Sequence, residues 1–136
     1  MIVLDASVAL KWFVNDEPLV GEAGAVLADI ERDPRPYGVP EFFMNELVAV
    51  LARMKDASRE QIQEAIALVE SLGLARFGNG HQLLELAIEF AIRWRLSGYD
   101  AVYVALASLS KGVWLTADIQ AAAKIDDRRL VKILRS

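Results

Sequence analysis

The sequence predicts an α/β fold with a mainly parallel central sheet. Two observations carry this. Short apolar runs rich in β-branched residues alternate with longer stretches of helical periodicity, and the runs are apolar enough to be covered on both faces. A third observation sets the domain count: no linker-like segment, repeat or low-complexity stretch divides the 136 residues, so one domain over 1–136 is expected.

Taken in order, "IVL" at 2–4 is a short buried strand, and 6–14 reads as a helix. Asp5 stands at their junction. A moderate helix follows over 18–32. "RDPRPYGVP" is then the clearest loop, with its three prolines and a glycine. Pro40 suits the first turn of the next helix, which is expected to run to about Met54. On a helical wheel Phe43, Leu47, Val50, Leu51 and Met54 form one face of it, while Met44, Val48 and Ala52 make the opposite face apolar as well. Such a helix needs cover all round, from the core or from a second chain.

Ser58 with Gln61 gives a capping box for a helix ending near Ser71. "LGLARF" is a short strand, and 78–80 a turn. A long helix over 81–97 carries the polar line Glu85, Glu89, Arg93, Ser97 opposite Leu83, Ala87, Phe90, Ala91 and Trp94. Residues 100–110 form an almost wholly apolar helix. "VWLT" is a strand, 119–124 a short helix, and "LVKIL" a last edge strand.

Composition narrows the chemistry. With no cysteine, disulfides, thiolate zinc sites and cysteine nucleophiles are excluded, and the single His81 excludes a histidine acid–base pair. The N-terminus has no basic segment ahead of its apolar run, and no apolar stretch approaches the ~18 residues of a membrane span. A soluble, unexported, cytoplasmic protein is expected. A net charge of −4 argues against gripping nucleic acid by bulk electrostatics. Yet neutralising four of the 19 acids would leave 15, matching the 15 Lys and Arg.

Four acids sit in apolar surroundings: Asp5 after "IVL", Glu46 within "FFMNELVAVL", Asp100 before "AVYVALASL", and Asp118 after "WLTA". Asp5 and Asp118 both follow strands, which in a parallel sheet puts them at the edge where open α/β sheets hold ligands. Singly, Asp5 and Asp118 are most simply helix caps and Asp100 a first-turn acid. Glu46, in mid-helix, is either a surface-edge partner of Arg53 or part of a site. Jointly, carboxylates brought close in a low-dielectric site repel unless protons or a cation neutralise them. Magnesium or manganese, which take carboxylate and water oxygens, would serve.

"MIVLDASVALKWF", "VPEFFMNELVAVL", "YDAVYVALA" and "WLTAD", in this order and at these separations, resemble the PIN-domain family, and within it the VapC toxins of toxin–antitoxin pairs. The resemblance implies a three-layer α/β/α sandwich and a Mg²⁺- or Mn²⁺-dependent endoribonuclease. It also implies a cognate VapB-type antitoxin, homodimers, and heterotetramers or larger assemblies with the antitoxin. Asp5, Glu46, Asp100 and Asp118 match the family's acidic quartet, as catalytic and metal-binding residues. Ser7 and Thr116 match its small hydroxyl residues, which would orient a carboxylate or a metal-bound water. Each also has a local reading, Thr116 as an N-cap and Ser7 as a first-turn residue. Ala49 departs from the pattern where relatives often carry a polar residue, and Asn45 points well away from Glu46 on the wheel.

Hydrolysis by metal-activated water would leave 5′-phosphate and 3′-hydroxyl ends and needs no histidine. Structured RNA, such as the loops of tRNA or rRNA, is the substrate class the resemblance implies. Among the basic residues, Lys11, one turn after Ser7, is the best placed to touch substrate, with Arg53 a further candidate. A catalytically idle PIN scaffold that binds RNA or protein is the rival reading. An unrelated fold using Asp5 as a phosphoryl acceptor would leave Glu46 and Asp118 without a role.

Overall fold

The computed structural model describes residues 1–14 and 17–135. Five parallel strands form one sheet in the order β3-β2-β1-β4-β5: β1 (Ile2–Leu4), β2 (Tyr37–Pro40), β3 (Ala75–Phe77), β4 (Val113–Thr116) and β5 (Val131–Ile133). The chain first builds outward from β1 through β2 to β3, then returns to lay β4 on the other side of β1. The β1/β4 boundary is therefore the switch point, where the crevice beyond the strand C-termini opens. Leu4 pairs with Leu115 there, and the Asp5 amide donates to the Leu115 carbonyl at 2.9 Å.

Among the described residues seven α-helices flank the sheet: α1 (Ala6–Leu10), α2 (Val20–Arg32), α3 (Phe43–Leu51), α4 (Arg59–Ser71), α5 (His81–Trp94), α6 (Gly98–Leu109) and α7 (Ile119–Ala123). Helix α6 is the central one. Its residues 101–107 are all buried, and it packs on β1, β2 and β4 while α5 covers its other side. The core includes Val3, Leu4, Val39, Phe43, Tyr103 and Trp114, each with no exposed surface. Among the described residues no helix is long and apolar enough to cross a membrane.

Four sequence expectations need correction. The segment read as loop contains β2, and Pro40 ends that strand instead of opening a helix. The four residues of β2 are buried, and its composition hides it: Gly38 packs closely under two side chains, where a Cβ would lie 2.5 Å from the Met1 sulfur and 2.9 Å from the Phe77 ring. The following helix starts at Phe43 and stops at Leu51. The helix expected to reach Ser97 ends at Trp94, because Arg95 turns left-handed (φ 54°) and Ser97 instead caps α6, accepting from the Asp100 amide at 3.1 Å. The helix expected over 6–14 is α1 followed by a 3₁₀ turn at Lys11–Phe13. The Ser58/Gln61 capping box forms as expected, with both reciprocal hydrogen bonds present.

Candidate active site

Asp5 leaves β1 at the switch point and is 7 % exposed. Its carboxylate collects three donors. Oδ2 accepts from the Ser7 amide (3.1 Å) and the Thr116 hydroxyl (3.2 Å), and Oδ1 accepts from the Trp114 indole N–H (3.2 Å). The first of these is a helix cap on α1, so Asp5 does punctuate the chain as well as occupy the crevice. Burial pushes its carboxyl above the usual range, while the donors from Ser7, Thr116 and Trp114 pull the other way. A shell made only of donors is built for the ionised form.

Thr116 is fully buried and is not a cap. Its single proton goes to Asp5, so the Ser7 hydroxyl, 3.3 Å away, is the donor between the two hydroxyls. Thr116 Oγ1 also accepts from the Asp118 amide at 3.0 Å, and Ser7 Oγ accepts from the Ala117 amide at 2.9 Å. The end of β4 is thus pinned to the start of α1 through two hydroxyls. Asp118 itself is exposed and caps α7, with Oδ1 accepting from the Ala121 amide at 3.0 Å.

Glu46 reaches the crevice from α3, and its partner is not Arg53. The Tyr103 hydroxyl donates to Glu46 Oε1 at 2.6 Å. Burial, together with the charges of Asp5 and Asp100, pushes the Glu46 carboxyl up to about 6 against the pull of Tyr103. Asp100, in the first turn of α6, is likewise pushed up to about 6, by burial first and then by the charges of Asp5 and Asp118; Ser97 and Lys124 oppose this. Burial and the two neighbouring carboxylates also drive the Tyr103 hydroxyl well above its ordinary range, which keeps it a donor.

These couplings link all four acids in one field of like charge. Among the described residues no Lys or Arg forms an ion pair with Asp5, Glu46, Asp100 or Asp118. Hard oxygen donors with uncompensated charge suit a divalent cation. Among the described residues, however, no group of three or more His, Cys, Asp or Glu side chains stands close enough to hold a metal ion. The carboxylates share a field without being closed around a centre.

Lys11 is brought to the site's margin. It lines a cleft of about 570 Å³ with Ser7, Ala117 and Asp118, its side chain is 12 % exposed, and its ammonium lies 3.4 Å from Glu17. Arg53 is exposed beyond the end of α3 and does not line that cleft, although its neighbours Val50 and Met54 do. Asn45 and Ala49 are exposed, and His81 is solvated at the start of α5. The sequence reading assigned no role to Tyr103 or Trp114. The available clue was a polar-tipped aromatic inside a buried apolar run, since such residues need a hydrogen-bond partner. Their rings also stack on each other, with centroids 5.7 Å apart, so Glu46 and Asp5 are oriented by one aromatic pair.

The fold is shared with solved toxin–antitoxin proteins. A toxin–antitoxin complex from Klebsiella pneumoniae is similar at a TM-score of 0.74 and 16 % identity, over 100 % of this chain and 99 % of that one. VapBC2 from Rickettsia felis, bound to a DNA fragment from its promoter, gives 0.74 and 13 %, over 99 % and 100 %. VapC20 from Mycobacterium tuberculosis, a toxin that cleaves the sarcin–ricin loop, gives 0.69 and 18 %, over 93 % and 98 %. No curated protein matches the chain in sequence. The PIN domain family matches residues 2–127, nearly the whole length, and the chain belongs to that family.

Proposed function

We propose that this PIN domain is a metal-dependent endoribonuclease toxin of the VapC type. The observation that carries the proposal is the set of four carboxylates gathered at the β1/β4 switch point, with Glu46 and Asp100 both pushed up to about 6 by burial and by their acidic neighbours, and no ion pair to any of the four among the described residues. Asp5, Glu46, Asp100 and Asp118 would hold Mg²⁺ or Mn²⁺. Such an ion supplies an activated water and neutralises charge developing on a phosphodiester. The protein's own part is orientation: Trp114, Thr116 and the Ser7 amide fix the Asp5 oxygens, Tyr103 fixes Glu46, and the Ser7 and Thr116 hydroxyls tie the Ala117 and Asp118 amides to the same frame. Lys11, which lines the cleft beside Ser7 and Asp118, offers an ammonium for a substrate phosphate.

The substrate proposed is structured RNA, in keeping with the RNA-cleaving relative of the same fold. A VapB-type antitoxin is the proposed partner, because the similar structures include toxin–antitoxin complexes. A homodimer is also proposed, since Val48 and Val50 of α3 remain 47 % and 42 % exposed on the chain alone. The proposed setting is the cytoplasm.

The test is incubation of the purified chain with cellular RNA and Mg²⁺ or Mn²⁺. Discrete cuts leaving 5′-phosphate ends are expected. They should vanish in EDTA and in Glu46→Gln and Asp100→Asn, with circular dichroism unchanged. Undiminished cutting in EDTA overturns the metal assignment. Intact RNA under every metal condition overturns the nuclease itself.

A further inference from the structure

On the opposite edge of the sheet, beneath the N-terminal ends of β4 and β5, lies a second cleft of about 510 Å³. Its walls come from the C-terminal half of α5, the turn after α6, and the segment leading into β5. Three cations line it: Arg93, Lys111 and Arg129. Asp127 is occupied, because Arg129 grips it with two bonds of 3.0 Å. Arg93 and Lys111 have no carboxylate partner among the described residues, and Asp126 lies on the rim beside Arg93 and Trp94. In a chain of net charge −4, two unpaired cations at one cleft are a local reversal of sign.

Trp94 supplies the independent observation. It lines the cleft, is only 7 % exposed, and its indole N–H is buried with no acceptor. A buried N–H without a partner is destabilising and calls for an acceptor. The other two tryptophans spend theirs inside the protein, Trp12 on the Ala23 carbonyl and Trp114 on Asp5. One face of the Trp94 ring is stacked on Phe90 (4.6 Å), and the Arg93 guanidinium stands 5.7 Å from the ring centroid. With its ring so engaged, the indole N–H is the polar contact it has left to make. The missing element is an acceptor oxygen, and an anionic one would satisfy Arg93 and Lys111 together.

We propose that this cleft binds a phosphodiester group of single-stranded RNA, as an anchor remote from the acidic crevice. Arg93 and Lys111 take the phosphate charge, and the Trp94 N–H donates to one of its oxygens. The four residues of β4 separate the two sites by at least ~13 Å. An extended strand can therefore engage both, whereas a single nucleotide cannot. The choice of RNA as ligand rests on the ribonuclease reading above; the existence of an anion site does not.

The experiment is read as binding, in EDTA, so that it does not depend on cleavage. Fluorescein-labelled single-stranded RNA is titrated into the full chain and into an Arg93→Gln/Lys111→Gln variant. The Trp94 indole ¹H–¹⁵N resonance, assigned by its loss in Trp94→Phe, is followed with RNA and separately with inorganic phosphate. The expected result is a Kd about tenfold weaker in the double variant, a salt slope smaller by about two, and movement of the Trp94 resonance on adding RNA. Unchanged affinity, or a stationary resonance, overturns the proposal. Movement with inorganic phosphate but not with RNA also overturns it, in favour of a small-anion site. A chain that never cuts RNA can still pass this test, and one that cuts RNA can fail it.

Discussion

The Tyr103 hydroxyl donates to Glu46 Oε1 at 2.6 Å, joining two residues 57 positions apart across the α3/α6 boundary. The bond holds the Glu46 carboxyl below the value that burial and the neighbouring Asp5 and Asp100 charges would otherwise impose. Tyr103→Phe removes that one donor and keeps the ring stacked on Trp114 and edge-on to Phe42. The Glu46 pKa should then rise above about 6. The acid limb of the pH–rate profile for RNA cleavage should move to higher pH, and the rate near neutrality should fall about 10- to 100-fold. The stability cost should be about 1 kcal/mol. A rate loss without movement of the acid limb would mean that the hydroxyl orients the Glu46 carboxylate without setting its pKa.

A second prediction concerns stability and pH. Glu46 and Asp100 titrate near 6 in the folded chain, against about 4 when unfolded. Below about pH 4 both groups are protonated in both states and cost nothing. Between about 4 and 6 the folded state binds more protons than the unfolded one, so stability falls as pH rises, and above 6 the full penalty remains. For these partly exposed groups it is about 1–2 kcal/mol each. Urea denaturation of the metal-free chain should show this decline, and Glu46→Gln or Asp100→Asn should flatten it and be more stable than the parent at pH 7.5. Added Mn²⁺ should raise the Tm of the parent at that pH and raise the Asp100→Asn variant less. Stability that climbs between pH 4 and 6 would contradict the assigned shifts.

Asp5 differs from these two because it is structural as well as chemical. In Asp5→Asn one oxygen becomes an NH₂ group. The donors converge on both oxygens, so an amide must set its NH₂ against either the Trp114 N–H or the Ser7 and Thr116 donors. Cleavage should be lost, and the chain should lose about 1–3 kcal/mol as well. Trp114→Phe opens a core cavity in either background, but it should cost less in Asp5→Asn than in the parent because there it also removes the opposing donor. A double-mutant cycle checks this; additive costs would show that the two side chains do not interact.

The legibility of the site followed the kind of signal each residue carried. Asp5, Glu46, Asp100 and Asp118 stood out because charge in an apolar run is a local contrast, and the fold brings them into one electrostatic field. The strands β1 and β4 were legible from their β-branched and apolar runs. Strand β2 was not, because "YGVP" is placed between β1 and β3 by pairing, and its glycine packs under the side chains of Met1 and Phe77, both remote in sequence. Likewise Ser97 continued the polar spacing of α5, and only the left-handed Arg95 reassigned it to cap α6. Tyr103 and Trp114 were hidden because their partners lie 57 and 109 positions away. Arg53 was misleading for the converse reason: wheel proximity to Glu46 counted for less than the tertiary partner Tyr103.

The last prediction tests whether the switch point is rigidly required. A Cβ built on Gly112 would lie 1.8 Å from the Met1 carbonyl oxygen and 2.7 Å from its carbon, so the clash is with backbone and not with a flexible side chain. That same carbonyl accepts from the Val113 amide at 3.0 Å and sets the β1/β4 register, Ile2 opposite Val113. Gly112→Ala must therefore push β1 away from β4 at the pair that carries Asp5 and Thr116. We expect a loss of about 3 kcal/mol, at the upper end of overpacking effects, and a weakened Trp114–Asp5 hydrogen bond visible as a shifted indole resonance. Gly78→Ala is the control, since nothing lies within 4 Å of its Cβ position, and it should change stability by less than about 1 kcal/mol. Equal stability of the two variants would mean that β1 can slide on β4 without cost. The geometry holding Asp5 in the crevice would then be looser than its three hydrogen bonds imply.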